Sequence, residues 1–268
     1  MTKTIFNLFR IKHYAKNILI FIPLLFLHEI VTQQSLLNCI FLFIAYSAMS
    51  SCIYIINDIA DLKTDRLHPF KKNRPLASGK VSIKNAIIIS AILILLSFTF
   101  SINSLCSITL LLYFILNLCY SFLLKHILFL DVIIIALGFV LRLSAGYFAI
   151  ETTPSVSLNC AVFFCSMLFT FSKRNLEIKI NPKAKGYNSI ILNFCIYLSF
   201  ILSVVSYIIF MVDTKITNLI LLAILFTIFL ARITLLVQKS LKDEPITVLY
   251  KDKIIIFVII LFFVSLIF

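Results

Sequence analysis

Apolar stretches long enough to cross a bilayer follow one another along almost the whole chain. They lie near residues 18–33, 36–56, 83–101, 104–122, 127–149, 156–172, 189–212, 216–237 and 252–268. A hydrocarbon core about 30 Å thick takes roughly 20 helical residues to span. Lipid offers no water to loose backbone groups, so only helices and closed barrels cross it. The alternating pattern of a transmembrane barrel is absent. The expected fold class is all-α: a polytopic membrane protein, one transmembrane domain over residues 1–268, built as a bundle of about nine transmembrane helices. Composition agrees, with 62% hydrophobic and only 13% charged residues where soluble domains average about a quarter charged.

Basic residues orient the bundle. With the N-terminus inside and the segments alternating, 21 of the 24 Lys and Arg fall on inside segments. Lys215 is alone outside, and Arg142 and Arg232 sit within spans. The positive-inside rule therefore predicts an N-in, C-out topology. The polar loops at about 57–83, 173–188 and 238–251 then face the cytoplasm. The net charge of +13 is explained by lipid topology and phosphate binding, so nucleic acid is not an expected partner. The loop lengths suggest a duplicated four-helix unit plus one further helix. Seven cysteines all lie in apolar runs with no C-x-x-C pair and read as small packing residues. The N-terminal basic cluster has no small-residue cleavage site after it, so the first run reads as a retained span.

Residues 57–79, NDIADLKTDRLHPFKKNRPLASG, interrupt this apolar text with dense charge. On a continuous helix Asp58, Asp61 and Asp65 would share a face. Three carboxylates that close repel unless a cation neutralises them. Mg²⁺ suits the task when it shares its shell between a few carboxylates, water and the oxygens of a diphosphate. Asn57 would orient that cluster.

Two further segments carry chemistry. Asp131 and Arg142 are eleven residues apart, on one face within about 20° but separated by about 16 Å along the axis. They cannot pair with each other, so each needs another partner, and intramembrane charge marks a site by default. Lys125 and His126 fit equally well as snorkelling anchors. In Lys173-Arg174-Asn175-Leu176-Glu177 the i, i+4 spacing of Lys173 and Glu177 fits a surface pair, while Arg174 adds a bidentate phosphate donor. Asp243-Glu244-Pro245 reads as a solvated connector. Nucleotide-cradle and hydrolase motifs are absent, and four glycines in the chain leave little room for a phosphate-binding glycine loop.

Taken together, N-D-x-x-D-x-x-x-D after the second run, Asp65-Arg66-x-His68-Pro69-x-Lys71, Arg74-Pro75-x-Ala77-x-Gly79, Leu141-Arg142-x-x-Ala145-Gly146 and Lys173-Arg174-x-x-Glu177 resemble the UbiA superfamily of intramembrane transferases. Lys16-Asn17, Pro23-Leu24, Leu124-Lys125-His126 and Glu244-Pro245 extend the likeness along most of the chain. Within the superfamily the pattern looks most like the polyprenyl-phosphate phosphoribosyltransferase branch, typified by the decaprenyl-phosphate enzyme. The resemblance implies a Mg²⁺-dependent enzyme of the cell membrane, with its active site towards the cytoplasm. It would move 5-phosphoribose from phosphoribosyl diphosphate to a polyprenyl phosphate.

The resemblance also assigns roles. Asp58, Asp61 and Asp65, with Asn57, would be the metal and catalytic group. Lys16, Asn17, Arg66, His68, Lys71, Arg74, Tyr120, Lys125, Asp131, Arg142, Lys173, Arg174 and Glu177 would bind substrate, with Lys71, Lys173 and Arg174 on the 5-phosphate. Ordinary prenyltransferases of the superfamily carry a second aspartate-rich motif after the sixth helix, where this chain has Lys173, Arg174 and one Glu177. The alternative is a prenyltransferase taking a prenyl diphosphate to an aromatic or lipid acceptor. A transporter is a remote third reading, because the charges cluster at helix ends rather than at the midplane. Single-cysteine labelling in a cysteine-free background should modify positions within 62–80 only from the cytoplasmic side. Labelling from outside would overturn the topology.

Overall fold

The computed structural model describes residues 2–27, 32–124, 127–180, 186–215, 218–239 and 252–267. All regular structure among them is helical. In chain order the elements are α1 (Thr2–Phe9), a 3-10 helix (Ile11–Phe21), α2 (Ile22–Phe26), α3 (Gln33–Ala60), α4 (Leu62–Leu67), a 3-10 turn (Lys71–Asn73), α5 (Ile83–Thr99), α6 (Ser104–Cys119) with a π-helical turn (Tyr120–Leu124), α7 (Leu130–Ala149), α8 (Val156–Ile180), α9 (Ser189–Asp213), α10 (Leu219–Lys239) and α11 (Lys253–Ile267). Six of these are long and apolar enough to cross a membrane, and Ile83–Thr99 and Lys253–Phe262 are shorter apolar helices. This is a multi-pass membrane protein.

One predicted run takes a different form. Residues 18–33 do not make one long α-helix: the 3-10 segment Ile11–Phe21 hands over to the five-residue α2 at Pro23. Proline lacks an N–H, so it can open a helix but cannot continue one.

Polar caps start the helices where the apolar runs begin. Thr32 and Ser35 form a reciprocal capping box on α3. Ser82, Asn103 and Asn188 accept backbone N–H groups at the starts of α5, α6 and α9. Asp252 accepts from the N–H groups of Ile254 and Ile255 at α11 and is held by Arg232 at 2.9 Å. Each satisfies donors that a helix start leaves unpaired.

The chain packs as two compact units, Met1–Lys125 with Leu141–Pro154, and His126–Val140 with Ser155–Phe268. In the first, α3 runs through the core and buries small residues along its length, among them Cys39, Ala45, Ser47, Ala48, Ser51 and Cys52. Small side chains let backbones approach, as membrane helices require. Cys39 Sγ and Cys106 Sγ lie 3.8 Å from the carbonyl oxygens of Ile20 and Ala145, in keeping with a packing role. In the second, Val132, Leu168, Phe171, Leu192, Ile196 and Leu230 form one core. The outward faces are apolar: α5 exposes Ile87, Ile88, Ile92 and Leu95, and α9 exposes Ile190, Phe194 and Ile201. Such faces suit lipid tails, not water.

One close backbone approach in the first unit is at Gly146. A Cβ there would stand 2.3 Å from the carbonyl oxygen of Ile20, so only glycine lets α7 meet the 3-10 segment. Gly146→Ala forces that backbone apart and should cost about 1–3 kcal/mol, read as an earlier thermal unfolding of the purified protein in detergent.

Candidate functional site

The charged block begins where α3 stops. Asp61 has φ −90° and ψ 6°, which ends α3 and starts the short α4. The α-helix expected to carry Asp58, Asp61 and Asp65 is therefore interrupted at its middle member, although i→i−4 hydrogen bonds run into and out of Asp61 at 2.9 Å. Asp61 is half-buried at the break, its carbonyl accepting from Thr64 Oγ1 and the Asp65 N–H at 2.8 and 2.9 Å. Asp58 and Asp65 still converge, through an arginine. Arg74 Nη1 donates to Asp58 Oδ1 at 3.1 Å and to Asp65 Oδ2 at 2.6 Å, and Arg10 Nη2 also donates to Asp58 Oδ1. The two carboxylates are buried, while the arginines covering them are partly open. Among the described residues no three His, Cys, Asp or Glu side chains gather at metal spacing. Asp58 and Asp65 do make a two-carboxylate set, and beside Asp58 in sequence Asn57 Oδ1 is buried with no hydrogen-bond partner. Two carboxylates and an unsatisfied amide oxygen are hard oxygen donors of the kind Mg²⁺ accepts while retaining water and substrate oxygens, so these residues fit the ion.

The loop after α4 positions Arg74. His68 Nδ1 accepts from the N–H groups of Phe70 and Lys71 at 3.2 and 3.3 Å, starting the 3-10 turn. That assigns the proton of the neutral ring to Nε2. Arg74 N–H donates to Lys71 O, and Arg74 O accepts from Ser78 N–H, both at 2.9 Å. Leu76 is buried with Leu8, Ile55 and Ala86, and Gly79 turns the chain at φ 75°. Leu76 is thus the anchor and Arg74 the group it presents. Arg66 in the last turn of α4 and His68 and Lys71 on this loop are exposed.

Arg142 and Asn17 are brought together inside the first unit. Arg142 Nε donates to Asn17 Oδ1 at 2.6 Å, and Asn17 Nδ2 donates to Ser47 Oγ at 3.0 Å. Arg142 Nη2 donates to the Tyr113 hydroxyl at 2.6 Å, and the guanidinium carbon lies 4.4 Å from that ring's centroid. Tyr113 and Ser47 were not legible as partners, since uncharged polar residues within an apolar run carry no distinguishing pattern. Lys16 and Tyr120 are half-buried. Lys125 lies outside the described residues, as does Asp243-Glu244-Pro245.

The second unit has its own charge cluster. Arg174 Nη2 pairs with Asp131 Oδ2 at 3.0 Å, and Arg174 Nη1 pairs with Glu177 Oε2 at 2.6 Å. The Tyr187 hydroxyl donates to Asp131 Oδ1 at 2.7 Å and accepts from the Phe129 N–H at 2.8 Å. Phe129 is in the left-handed region, φ 65°, a conformation bulky residues adopt only when the surroundings impose it. Burial pushes the Tyr187 phenol up to about 12, so it remains a donor throughout the physiological range. As expected from their spacing, Asp131 and Arg142 each have partners of their own. Glu177 pairs at i−3 with Arg174 rather than at i−4 with Lys173, which is exposed. Asn175 is buried and donates to Asn193 Oδ1 at 2.8 Å. Tyr187 sits outside every motif and was missed.

The sequence matches the model of the UbiA prenyltransferase family over residues 19–267. Among curated relatives, an uncharacterized protein of Sinorhizobium fredii is 34% identical over 63% of this chain and 33% of its own length. The decaprenyl-phosphate phosphoribosyltransferases of Mycolicibacterium smegmatis and Corynebacterium glutamicum are 32% and 29% identical, over 62% and 65% of this chain and 55% and 54% of theirs. The chain thus spans about half the length of those two enzymes. A UbiA homolog from Archaeoglobus fulgidus, solved with GPP and Mg²⁺, superposes with a TM-score of 0.77 at 18% identity over 98% of both chains. That likeness establishes the fold.

Tyr187→Phe leaves the Phe129 N–H without its acceptor and Asp131 with one donor fewer. It should lower stability by about 1–3 kcal/mol, measured by denaturation of the detergent-solubilised protein against wild type.

Proposed function

The chain belongs to the UbiA prenyltransferase family, and we propose that within it the protein transfers 5-phosphoribose from phosphoribosyl diphosphate to a polyprenyl phosphate at the cytoplasmic face of the membrane. An oxygen of the lipid phosphate bonds to the anomeric carbon as the bond from that carbon to the diphosphate breaks, and diphosphate leaves with the electron pair. The acceptor is already an anion and needs no strong base. Asp58, Asp61 and Asp65, with Asn57 beside Asp58, would hold Mg²⁺, which would supply positive charge against the leaving group. Arg74 and Lys71 supply the remaining donors for diphosphate oxygens.

The observation that carries the donor assignment is the state of the Lys173–Glu177 segment. Its one carboxylate, Glu177, is taken by Arg174, which leaves an exposed lysine where a prenyl diphosphate enzyme would offer a second set of acidic metal ligands. A phosphomonoester brings about 1.5–2 further negative charges at neutral pH, and cations suit it better than carboxylates. The phosphoribosyltransferase relatives at about 30% identity point the same way.

Purified protein with Mg²⁺ and a polyprenyl phosphate should convert phosphoribosyl diphosphate to a polyprenyl-phosphoryl 5-phosphoribose, detected by mass spectrometry of the lipid fraction. Consumption of a prenyl diphosphate instead would establish the prenyltransferase alternative. Asp58→Asn or Asp61→Asn should reduce turnover by about 10²–10³, and near-normal turnover of a folded Asp61→Asn would remove Asp61 from the metal site. Lys173→Ala should raise the KM for phosphoribosyl diphosphate several-fold, with the KM for lipid unchanged. Arg174→Ala should behave differently: it strips a buried carboxylate of its partner, a loss of about 3–5 kcal/mol visible as destabilisation.

A further inference from the structure

We infer that Arg74 occupies the position of the metal when no substrate is present, so that magnesium enters only together with a diphosphate. This rests on the metal–diphosphate reading of the charged block and adds an order of binding to it. A single nitrogen, Arg74 Nη1, stands 3.1 Å from Asp58 Oδ1 and 2.6 Å from Asp65 Oδ2. Asp58 and Asp65 would hold the ion through the carboxylates that Arg74 now engages, and Mg²⁺ takes its ligands directly, at about 2.0–2.1 Å. Guanidinium and ion therefore exclude one another.

The local charges agree. Asp58 and Asp65 carry two negative charges, and Arg10 and Arg74 answer them with two positive ones. Magnesium alone would have to expel Arg74 from two buried carboxylates and leave its guanidinium without either of them. The magnesium complex of a diphosphate ester is an anion. It gives the carboxylates their cation and gives the displaced guanidinium a bidentate phosphate partner.

The loop is built for such a movement. The backbone of Arg74 is tied by hydrogen bonds on both sides, and Leu76 is sunk among Leu8, Ile55 and Ala86. The Arg74 side chain is 28% exposed, against 3% for the acids it covers. The anchor stays and the side chain swings. Arg10 keeps its hold on Asp58 from another element, α1's end, where the backbone is left-handed at φ 51°.

The test measures metal affinity rather than turnover. Mg²⁺ binding to the full chain in nanodiscs is followed by isothermal calorimetry, with and without inorganic diphosphate. Wild type should bind Mg²⁺ weakly alone and at least about tenfold more tightly with diphosphate, a coupling of about 1.4 kcal/mol or more. Arg74→Ala should bind Mg²⁺ alone about tenfold more tightly than wild type and lose most of the diphosphate effect. Arg74→Lys retains a positive charge to protect folding but ends in a compact, strongly hydrated ammonium on a different stem; it should shift the same way by a smaller factor. Lys63→Ala removes an equal charge from exposed α4 and should change affinity less than twofold. Unchanged or weaker Mg²⁺ binding in both Arg74 variants, or an equal gain in Lys63→Ala, overturns the exchange while leaving the metal site standing. Wild type that binds Mg²⁺ neither alone nor with diphosphate overturns the metal–diphosphate reading itself.

Discussion

A charge inside an apolar bundle must be neutralised where it stands. Taking a carboxylate or guanidinium out of water costs several kcal/mol even after the surroundings relax, and this chain does so repeatedly. Asp58 and Asp65 are neutralised by Arg10 and Arg74. Asp131 is neutralised by Arg174 and steadied by Tyr187. Arg142 is surrounded by Asn17 and Tyr113. The elements carrying these groups are therefore held in register by charge pairing as well as by packing, since sliding any one would strand a partner.

That constraint also sorts the candidate residues by what they are free to do. Arg142 is buried and Arg174 largely covered, and both are engaged with protein groups, so their removal acts first on stability. Arg66, His68, Lys71 and Lys173 are exposed and can meet a soluble anion without dismantling anything. Arg74 stands in between, presented by a fixed backbone yet partly open. A group of that kind can exchange protein carboxylates for substrate phosphates at little structural cost, which is why the binding order is assigned to it rather than to its buried counterparts.

The two units follow one physical scheme on different sequences. Each sets an aspartate near a helix end against an arginine from a neighbouring element, beside a residue in the left-handed region, Arg10 in one and Phe129 in the other. The first keeps a second carboxylate and an unsatisfied Asn57 oxygen, which is the chemistry of a cation site. In the second, Arg174 likewise joins two carboxylates, Asp131 and Glu177, and Tyr187 adds a hydrogen bond to Asp131.

The membrane class, the helical architecture and the sparse set of ionisable residues were legible in the chain alone, because lipid admits so few solutions to backbone hydrogen bonding and charge burial. So were Asp58, Asp61, Asp65, Asp131 and Arg142 as residues needing partners, and the inability of Asp131 and Arg142 to serve each other. The partners themselves were decided in three dimensions. Nothing local distinguishes Tyr187, Tyr113 or Ser47 from other polar residues near or within apolar runs, and helix periodicity could not register that α3 breaks at Asp61 or that the first run is 3-10 wound to fit against Gly146. Sequence spacing holds only as far as one helix axis continues; beyond each break, which charge meets which is set by how separate elements pack.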